Sequence, residues 1–355
     1  MTERVHRVAV IPGDGIGKEV VPAARSVIDT VGRRLDFSCE WTDFDWSCEL
    51  HASTGSMTGS GSIEELATHD AIFLGAIGYP GVADHVSLWG LLIPIRRRFA
   101  QYVNLRPVRL LPGVRTPLAD RGPDDINFVI VRENNEGEYS EIGGRLYAGT
   151  PEELAVQQSV FTRVGVDRVL RYAFDLARTR PARHLTSATK SNGIIHTMPF
   201  WDERFQAMAA EYPDVRTDQY HIDILSAHLV QHPDWFDVIV ASNLFGDILS
   251  DLGPAIAGSI GLAPGANLNP DRAQPSMFEP VHGSAPDIAG RGVANPIAQI
   301  LTGAMMLEHL EETTAAEALV LAVERVLAVG EVQTGDLGGT ATTAEMTAAV
   351  IAALD

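Results

Sequence analysis

Short apolar runs alternate along the chain with longer stretches in which apolar residues recur at helical spacing. The clearest runs of strand length are residues 8–11, 71–74, 128–131 and 238–241, and Gly, Asn or Ser follows soon after each of them. Strand-length runs that alternate with helical stretches are typical of α/β proteins. The pattern therefore predicts an α/β fold with substantial parallel sheet, in which ligand sites collect where strands end and helices begin.

The length of 355 residues corresponds to roughly two domains at about 150 residues each. Proline and glycine cluster in residues 110–123 and again in residues 253–275, but neither cluster marks a simple boundary. A chain that leaves its first domain near residue 100 and returns to it after residue 255 fits this pattern.

The charge of the chain excludes several classes of partner. It has 46 acidic and 27 basic residues, a formal net charge of −19, and so acidic a surface repels nucleic acid and anionic membranes. No apolar run reaches 18 residues, and the first residues lack the apolar core of a signal peptide. Two cysteines are too few for a disulfide framework, so we expect a reduced, cytoplasmic setting.

The basic residues are almost all arginine, because only Lys18 and Lys190 among them are lysine. Arginine does not give up its proton in a protein, whereas lysine can, so a site that needs a titrating amine must keep a lysine. We expect Lys18 to lie on the surface of a helix. Lys190, among small polar residues, is the candidate for chemistry.

A glycine-rich turn, residues 12–17, follows the first apolar run. Glycines at this spacing allow a tight turn and a close approach of the backbone to a ligand. The dinucleotide motif of Rossmann folds would need a third glycine where Lys18 stands. The turn alone therefore indicates either a ligand-binding loop or a plain tight turn.

The densest positive charge lies in residues 96–98, with Arg106 and Arg109 shortly after. A guanidinium group matches a carboxylate in two parallel hydrogen bonds, which is what an acidic protein needs to hold an anionic substrate. A helix that begins near Leu91 would place the three consecutive arginines on different faces, so we expect two of them to be solvated.

Arg132 stands at the end of the apolar run 128–131, where a site residue is favoured over a structural ion pair. Tyr139 follows a turn at Gly137 and is either a core tyrosine or a proton donor near the arginines.

Asp223, Asp247 and Asp251 form the strongest acidic signal. Asp247 and Asp251 are four residues apart, so on a helix they lie one turn apart on one face, where like charges repel. A hard divalent cation such as Mg²⁺ or Mn²⁺ would relieve that repulsion. The alternative is that Asp247 interacts with the helix dipole and Asp251 is solvated.

Residues 277–290 form a loop of small residues around His282 and Asp287, and Asn295 follows it. A carboxylate such as Asp287 can accept both hydroxyls of a ribose and would repel a 2′-phosphate. The spacing alone marks an unusual loop and no more.

Three segments, residues 84–92, 132–139 and 196–201, carry a family resemblance. The chain resembles, over essentially its whole length, the β-hydroxyacid oxidative decarboxylases, the isocitrate and isopropylmalate dehydrogenase family. Within that family it is most similar to the tartrate and D-malate dehydrogenase branch.

The resemblance implies a two-domain, isopropylmalate dehydrogenase-like α/β fold with a mixed central sheet flanked by helices, and not a Rossmann fold. A large domain of residues 1–101 and 256–355 would carry most of the NAD site. A small domain of residues 102–255 would carry metal ligands and the interface of a homodimer.

The implied reaction is the NAD-dependent, metal-assisted oxidation of a small dicarboxylic 2-hydroxy acid. The substrate would be D-malate, decarboxylated to pyruvate and CO₂, tartrate, or both. The implied cofactors are NAD and Mg²⁺ or Mn²⁺, with a monovalent cation such as K⁺ as a further candidate. Two alternatives stay open, a 3-isopropylmalate dehydrogenase and a metal- and anion-binding protein without redox turnover.

The resemblance also assigns the substrate-binding residues. Arg96, Arg106 and Arg132 would grip the substrate carboxylates. Trp89 and Leu92 stand where isocitrate enzymes carry a serine and an asparagine for the extra carboxylate, which argues against isocitrate.

In the same way, Tyr139 would return a proton after CO₂ leaves, and Lys190 would help to remove the proton from the hydroxyl. Asp247 and Asp251 would bind the metal in one subunit. Lys190 and Asp223 would reach into that site from the partner subunit.

The cofactor-binding residues that the resemblance implies lie near the first turn and in the late loop, where Asp287 favours NAD over NADP. They are Ile11, His282, Gly283, Ser284, Ala285, Pro286, Asp287, Ile288 and Asn295.

Overall fold

The structure is a computed structural model that describes residues 4–354. Ten strands form one sheet in the order β2-β1-β3-β12-β11-β4-β5-β10-β8-β9, and β6 and β7 form a separate hairpin. The strands are β1 (Arg4–Gly13), β2 (Phe37–Asp43), β3 (Ala71–Ala76), β4 (Val103–Arg109), β5 (Asn127–Glu133), β6 (Gly143–Leu146), β7 (Leu154–Gln157), β8 (His184–Thr189), β9 (Arg216–His221), β10 (Val238–Ala241), β11 (Ala266–Leu268) and β12 (Ser276–Phe278).

Helices cover both faces of this sheet. They are α1 (Gly17–Leu35), α2 (Cys48–Thr54), α3 (Asp84–Ser87), α4 (Ile93–Arg98), α5 (Arg163–Thr179), α6 (Thr197–Ala209), α7 (Ile222–Gln231), α8 (Asn243–Ile256), α9 (Ile297–His309), α10 (Thr313–Val329) and α11 (Thr343–Ala352). Within residues 4–354, no helix is both long enough and apolar enough to span a bilayer.

The four apolar runs of the sequence all lie inside strands, namely β1, β3, β5 and β10. These strands belong to two parallel groups, β2-β1-β3-β12 and β5-β10-β8-β9. Strands β11 and β4 join the groups through antiparallel pairing, so the groups run in opposite directions. The predicted mixed α/β sheet flanked by helices is confirmed.

The chain passes from one group to the other at the antiparallel strands. Residues before β4 and after α8 supply β2, β1, β3, β12 and β11, and the intervening residues supply the other five strands. The order of the strands thus follows the predicted division at residues 101 and 255. Because the sheet itself is continuous, the division into two domains stays a prediction.

Helix α8 packs very closely on the sheet at this junction. A Cβ atom on Gly253 would lie 2.4 Å from Cγ2 of Val108 in β4, nearer than nonbonded carbon atoms approach. The glycine therefore lets the helix backbone rest on the strand. This contact sets the height of α8, and with it Asp247 and Asp251, above β4 and β5.

We expect Gly253→Ala to lower the free energy of unfolding by about 1–3 kcal/mol, because the added methyl group overpacks the contact with Val108. Alanine is otherwise the better helix former by about 1 kcal/mol. In a Val108→Ala background, where the contacting methyl groups are gone, the same substitution should therefore be neutral or stabilising. Urea denaturation of the four proteins at one concentration measures the difference, and an equal loss in both backgrounds would contradict the packing argument.

Candidate active site

The register of the antiparallel strands places a row of polar side chains on one face at the junction of the sheet. Asn104 of β4 pairs with Arg132 of β5 on one side and with Asn267 of β11 on the other. Residues directly opposite each other share a face, and so do residues two apart, such as Asn104 and Arg106. All four side chains are buried. The central strands thus present charge and amides where a sheet normally presents apolar residues.

Glu279 supplies the counter-charge to this row. It follows β12 and lies two residues beyond Met277, which pairs with Asn267, so it points to the same face. Its Oε1 accepts hydrogen bonds of 2.8 Å from both Arg96 Nη2 and Asn267 Nδ2, and lies 3.5 Å from Arg106 Nη2. One buried carboxylate from the end of β12 therefore holds an arginine of α4 and an arginine of β4.

The electrostatics of the row leave hydrogen-bond donors available. Burial lowers the pKa of Arg106 to about 10, although Glu279 works against that shift. Burial alone would raise the pKa of Glu279, but Arg96 and Arg106 outweigh it and hold the pKa below its ordinary value. Nε of Arg96 and Nη1 of Arg106 are buried without a hydrogen-bond partner in the described chain. Buried donors of this kind suit the carboxylates of a ligand.

Arg132 and Tyr139 meet at Asp247. Arg132 donates two hydrogen bonds to Oδ1 of Asn243, at 3.1 and 2.7 Å, and forms an ion pair with Asp247. The hydroxyl of Tyr139 donates to Oδ2 of Asp247 at 2.7 Å. Burial, and next the carboxylate of Asp247, raise the pKa of Tyr139 to about 12. The tyrosine therefore keeps its proton at neutral pH, as a proton donor must.

Asp251 lies one helical turn beyond Asp247 in α8, as the spacing predicted. Its side chain is exposed, yet the surrounding protein and then the charge of Asp247 raise its pKa. Two carboxylates that repel each other in this way, with oxygen donors only, match the preference of Mg²⁺ or Mn²⁺.

The third predicted metal ligand, Asp223, is not grouped with Asp247 and Asp251 in the folded chain. Asp223 opens α7, and its Oδ1 accepts a 2.7 Å hydrogen bond from Nζ of Lys190, which lowers its pKa. Both residues follow the ends of β8 and β9, and β10 separates these strands from β5. In the described part of the chain, no three His, Cys, Asp or Glu side chains are grouped to hold a metal. One chain thus assembles the arginines, Tyr139, Asp247 and Asp251, but not Lys190 and Asp223.

The glycine turn after β1 packs against the predicted cofactor loop. The backbone N–H of Ile16 donates to the carbonyl of Ser284 at 2.9 Å, and a Cβ atom on Gly15 would lie 2.0 Å from the same oxygen. Gly78, after β3, also approaches Ser284, whose Oγ would lie 3.0 Å from a Cβ atom there. The ends of β1 and β3 and the loop after β12 therefore form one continuous surface.

This surface offers polar groups for a dinucleotide. His282 is buried, burial lowers its pKa, and its Nε2 has no partner in the described chain, so a neutral ring can bond to a ligand. Asp287 is exposed and unpaired among the described residues. Asn295 donates to Asp336 at 3.0 Å. Ile11 is fully buried in the core, so its side chain cannot contact a ligand in this structure. The remaining predicted residues, Gly283, Ala285, Pro286 and Ile288, lie along the same loop.

The predicted substrate wall is an unusual helical turn. Residues Leu88–Leu92 form a π-helical turn between α3 and α4 and carry both Trp89 and Leu92. Turns of this kind are rare, and those that occur are frequently at functional sites. The guanidinium carbon of Arg97 lies 5.2 Å from the centre of the Trp89 ring.

Sequence reasoning missed four buried residues that organise this site, namely Glu279, Asn104, Asn243 and Asn267. One signal was available, since a charged residue directly after the buried strand β12 and amides inside buried strands are unusual. Their partners could not be inferred, because Asn104 and Asn267 are 163 positions apart in sequence.

We expect Glu279→Gln to lower the free energy of unfolding at pH 7.5 by about 3 kcal/mol or more, because it leaves two buried guanidinium groups without their counter-charge. The folded-state pKa of Glu279 lies below the ordinary value of 4.5. Its contribution should therefore be complete above that pH and disappear as the pH falls through the folded-state pKa.

Urea denaturation of wild type and Glu279→Gln at pH 7.5 and pH 3.5 measures this difference, which should narrow in acid. Glu64→Gln is the matched control, because Glu64 also pairs with an arginine, Arg98, but both side chains are exposed. The control should change stability by less than about 1 kcal/mol. A gap between wild type and Glu279→Gln that stays constant with pH would show that the carboxylate charge is not what matters.

Comparison of the sequence with known proteins identifies the family of this chain. The sequence model of the isocitrate/isopropylmalate dehydrogenase family matches residues 7–350. D-malate dehydrogenase (decarboxylating) from Escherichia coli K12 is 56% identical over 354 residues, which cover 98% of each chain. Tartrate dehydrogenase/decarboxylase from Pseudomonas putida is 54% identical and is covered to 98%, with 99% of this chain.

The likeness extends to solved structures. Isocitrate dehydrogenase from Methylococcus capsulatus superimposes with a TM-score of 0.87 at 35% sequence identity, covering 98% of this chain and 99% of its own. The fold and family that the motifs predicted are thus confirmed. The chain is an oxidoreductase and belongs to the isocitrate/isopropylmalate dehydrogenase family.

Proposed function

We propose that the protein is an NAD-dependent, Mg²⁺- or Mn²⁺-requiring dehydrogenase of small 2-hydroxy diacids. It would oxidise D-malate with decarboxylation to pyruvate and CO₂, tartrate, or both. The observation that carries this proposal is the pair of unpartnered guanidinium donors of Arg96 and Arg106, beside the acidic pair Asp247 and Asp251 on α8. Such a site can take a substrate with carboxylates and, on the acidic side, a cation.

The similar proteins support the choice of substrate. Relatives above 50% identity are named for D-malate and tartrate, and the isocitrate dehydrogenase is 35% identical. Trp89 and Leu92 add apolar bulk to the wall where isocitrate would need polar partners for its extra carboxylate. A C4 diacid without that group fits such a wall better.

The residues of the site divide the chemistry among them. Arg96, Arg106 and Arg132 hold the substrate carboxylates and fix its orientation. When bound, the divalent cation would act as a Lewis acid toward the substrate oxygens and NAD⁺ would accept the hydride. Lys190 assists removal of the hydroxyl proton, and Tyr139, which keeps its proton at neutral pH, donates it to carbon after CO₂ leaves.

We also propose that the enzyme is a homodimer in which Lys190 and Asp223 complete the partner's site. Apolar side chains are exposed on the hairpin β6–β7, where Leu146 is 59% and Val156 48% accessible. A two-stranded hairpin is marginally stable by itself, so this one needs a covering surface. Ile224 and Ile248, which adjoin Asp223 and Asp247, are exposed as well.

The finer assignments of the cofactor and the setting are part of the same proposal. Residues 1–101 and 256–355 would form the large domain with most of the NAD site, and residues 102–255 the small domain. The unpaired carboxylate of Asp287 would accept the ribose hydroxyls of NAD and repel the 2′-phosphate of NADP. Free thiols at Cys39 and Cys48 suit the reducing cytoplasm.

We expect NADH and pyruvate to form from (R)-malate when the enzyme is supplied with NAD⁺, Mn²⁺ and K⁺. A substrate panel that includes the tartrate stereoisomers and 3-isopropylmalate, followed by NADH absorbance, measures kcat/KM for each. A higher kcat/KM for 3-isopropylmalate would replace the D-malate assignment. No turnover with any diacid, together with no NAD⁺ binding by calorimetry, would favour a metal- and anion-binding protein without redox activity.

We expect Lys190→Met to lower kcat by about 10²–10⁴-fold, because it removes an acid–base group, while NAD⁺ still binds. If sites are shared, heterodimers of Lys190→Met with Asp251→Asn should regain one intact site of two. Heterodimers of Asp247→Asn with Asp251→Asn should regain none. Each subunit then carries a defect in its own site, so neither site is intact. Activity of purified, differently tagged heterodimers measures this, and equal inactivity of both pairs would indicate self-contained sites.

A further inference from the structure

Arg97 contacts three separate segments around the candidate site. From α4, its Nη1 donates to Oε2 of Glu141 at 2.5 Å and its Nη2 donates to the carbonyl of Tyr139 at 3.1 Å. The same guanidinium lies over the ring of Trp89, 5.2 Å from its centre. One side chain thus connects the substrate wall with the loop that carries the proton donor.

The two neighbouring arginines make no such connection. Arg96 is buried and bonds to Glu279 inside the row of charges. Arg98 is exposed and pairs with Glu64, which, like Arg98, precedes β4 in the chain. Arg97 also precedes β4, but Tyr139 and Glu141 follow β5. Its contacts therefore span the two proposed domains, whereas those of Arg98 do not.

Further along the loop after β5, Glu138 and the hydroxyl of Tyr139 are held by α8, on the same side of the molecule as the loop itself. The carboxylate of Glu138 accepts hydrogen bonds from Ser242 at 2.8 Å and from the backbone of Leu244 at 3.0 Å, at the start of α8. The hydroxyl of Tyr139 is held by Asp247, also on α8. Arg97 connects this part of the loop to the substrate wall through the carbonyl of Tyr139 and the carboxylate of Glu141.

We propose that Arg97 is a positioning residue that couples the Trp89 wall to the Tyr139 loop. The inference rests on the proposed function, because it takes Tyr139 as proton donor and Trp89 as the wall beside C3 of the substrate. Arg97 itself touches no reacting atom. It sets the distance between the wall and the tyrosine and keeps the indole ring from turning.

The physical consequence falls on rate and selectivity more than on stability. Glu141 is exposed and Arg97 is only partly buried, and ion pairs near the surface contribute little to folding. A displacement of about 1 Å at a catalytic group can nevertheless cost on the order of 10²-fold in rate. If the indole ring of Trp89 can move, the pocket will also admit substrates with larger groups at C3. A pocket discriminates between substrates by differences in its contacts with them, and these differences shrink when the wall is mobile.

The test compares Arg97→Met with Arg98→Met. Both variants keep a long side chain and lose one charge, at adjacent positions with similar surface ion pairs. We expect Arg97→Met to lower kcat for (R)-malate about 10–100-fold, with KM changed by only a few-fold. The ratio of kcat/KM for (R)-malate over 3-isopropylmalate should fall, and amide hydrogen exchange in residues 139–142 should become faster. Arg98→Met should match wild type in all of these measurements.

Arg97→Lys and Glu141→Gln add graded cases that fold if Arg97→Met does not. Lysine keeps the charge but cannot serve both oxygen acceptors and the ring at once, so it should recover part of the rate. Glu141→Gln loses one contact and should give a smaller defect. Unchanged kcat, selectivity and exchange in these variants, or an equal defect in Arg98→Met, would overturn the proposal. Absence of turnover in wild type would overturn the proposed function instead, and the exchange measurements would still decide whether Arg97 couples the two segments.

Discussion

The carboxylate of Glu279, buried between Arg96 and Arg106, is the interaction on which the rest of the site depends. Charges inside a protein are costly unless they are paired and hydrogen-bonded. Arg96, Arg106 and Arg132 are 6%, 7% and 4% exposed, and their nearest acidic partners are Glu279 and Asp247. Glu279 and Asp247 pair directly with the three guanidinium groups, and Asp251 lies near two of them. The unpartnered donors of Arg96 and Arg106 still offer hydrogen bonds to an anion, in a chain whose formal net charge is −19.

This cluster can exist because the sheet reverses direction at β11 and β4. Antiparallel register brings Asn104, Arg132 and Asn267 opposite one another on one face, and Glu279 continues the row from the end of β12. In a purely parallel sheet, the functional residues would lie at the carboxyl ends of the strands. Here the proposed cofactor surface follows that rule at β1 and β3, whereas Arg106 and Arg132 lie in the antiparallel strands β4 and β5 themselves. The mixed topology therefore provides two kinds of surface side by side.

The sequence was sufficient for the strands, because continuous apolar runs such as residues 8–11 and 238–241 leave little choice of structure. It was also sufficient for the helical spacing of Asp247 and Asp251 and for the family, through motifs that cover the chain. It was not sufficient for register, since no local pattern relates Glu279 to Arg96, 183 residues away. The sequence also gives no basis for assigning different roles to Arg97 and Arg98. Adjacent identical residues differ only in what the folded chain places around them, and the roles of Lys190 and Asp223 came from resemblance alone.

Repulsion between the carboxylates of the proposed site would link formation of the dimer to binding of the metal. Desolvation by the surrounding protein and then the charge of Asp247 already raise the pKa of Asp251, so a third carboxylate beside them would add repulsion. Asp223 would arrive paired with Lys190, as a nearly neutral unit, which lessens that cost. A divalent cation would remove most of the rest. At physiological ionic strength, charges beyond about 8 Å are largely screened, so the acidic exterior matters little to this balance. Assembly of the proposed shared site would therefore be decided by a few groups at short range: two aspartates of one subunit, the lysine–aspartate pair of the other, and the ion between them.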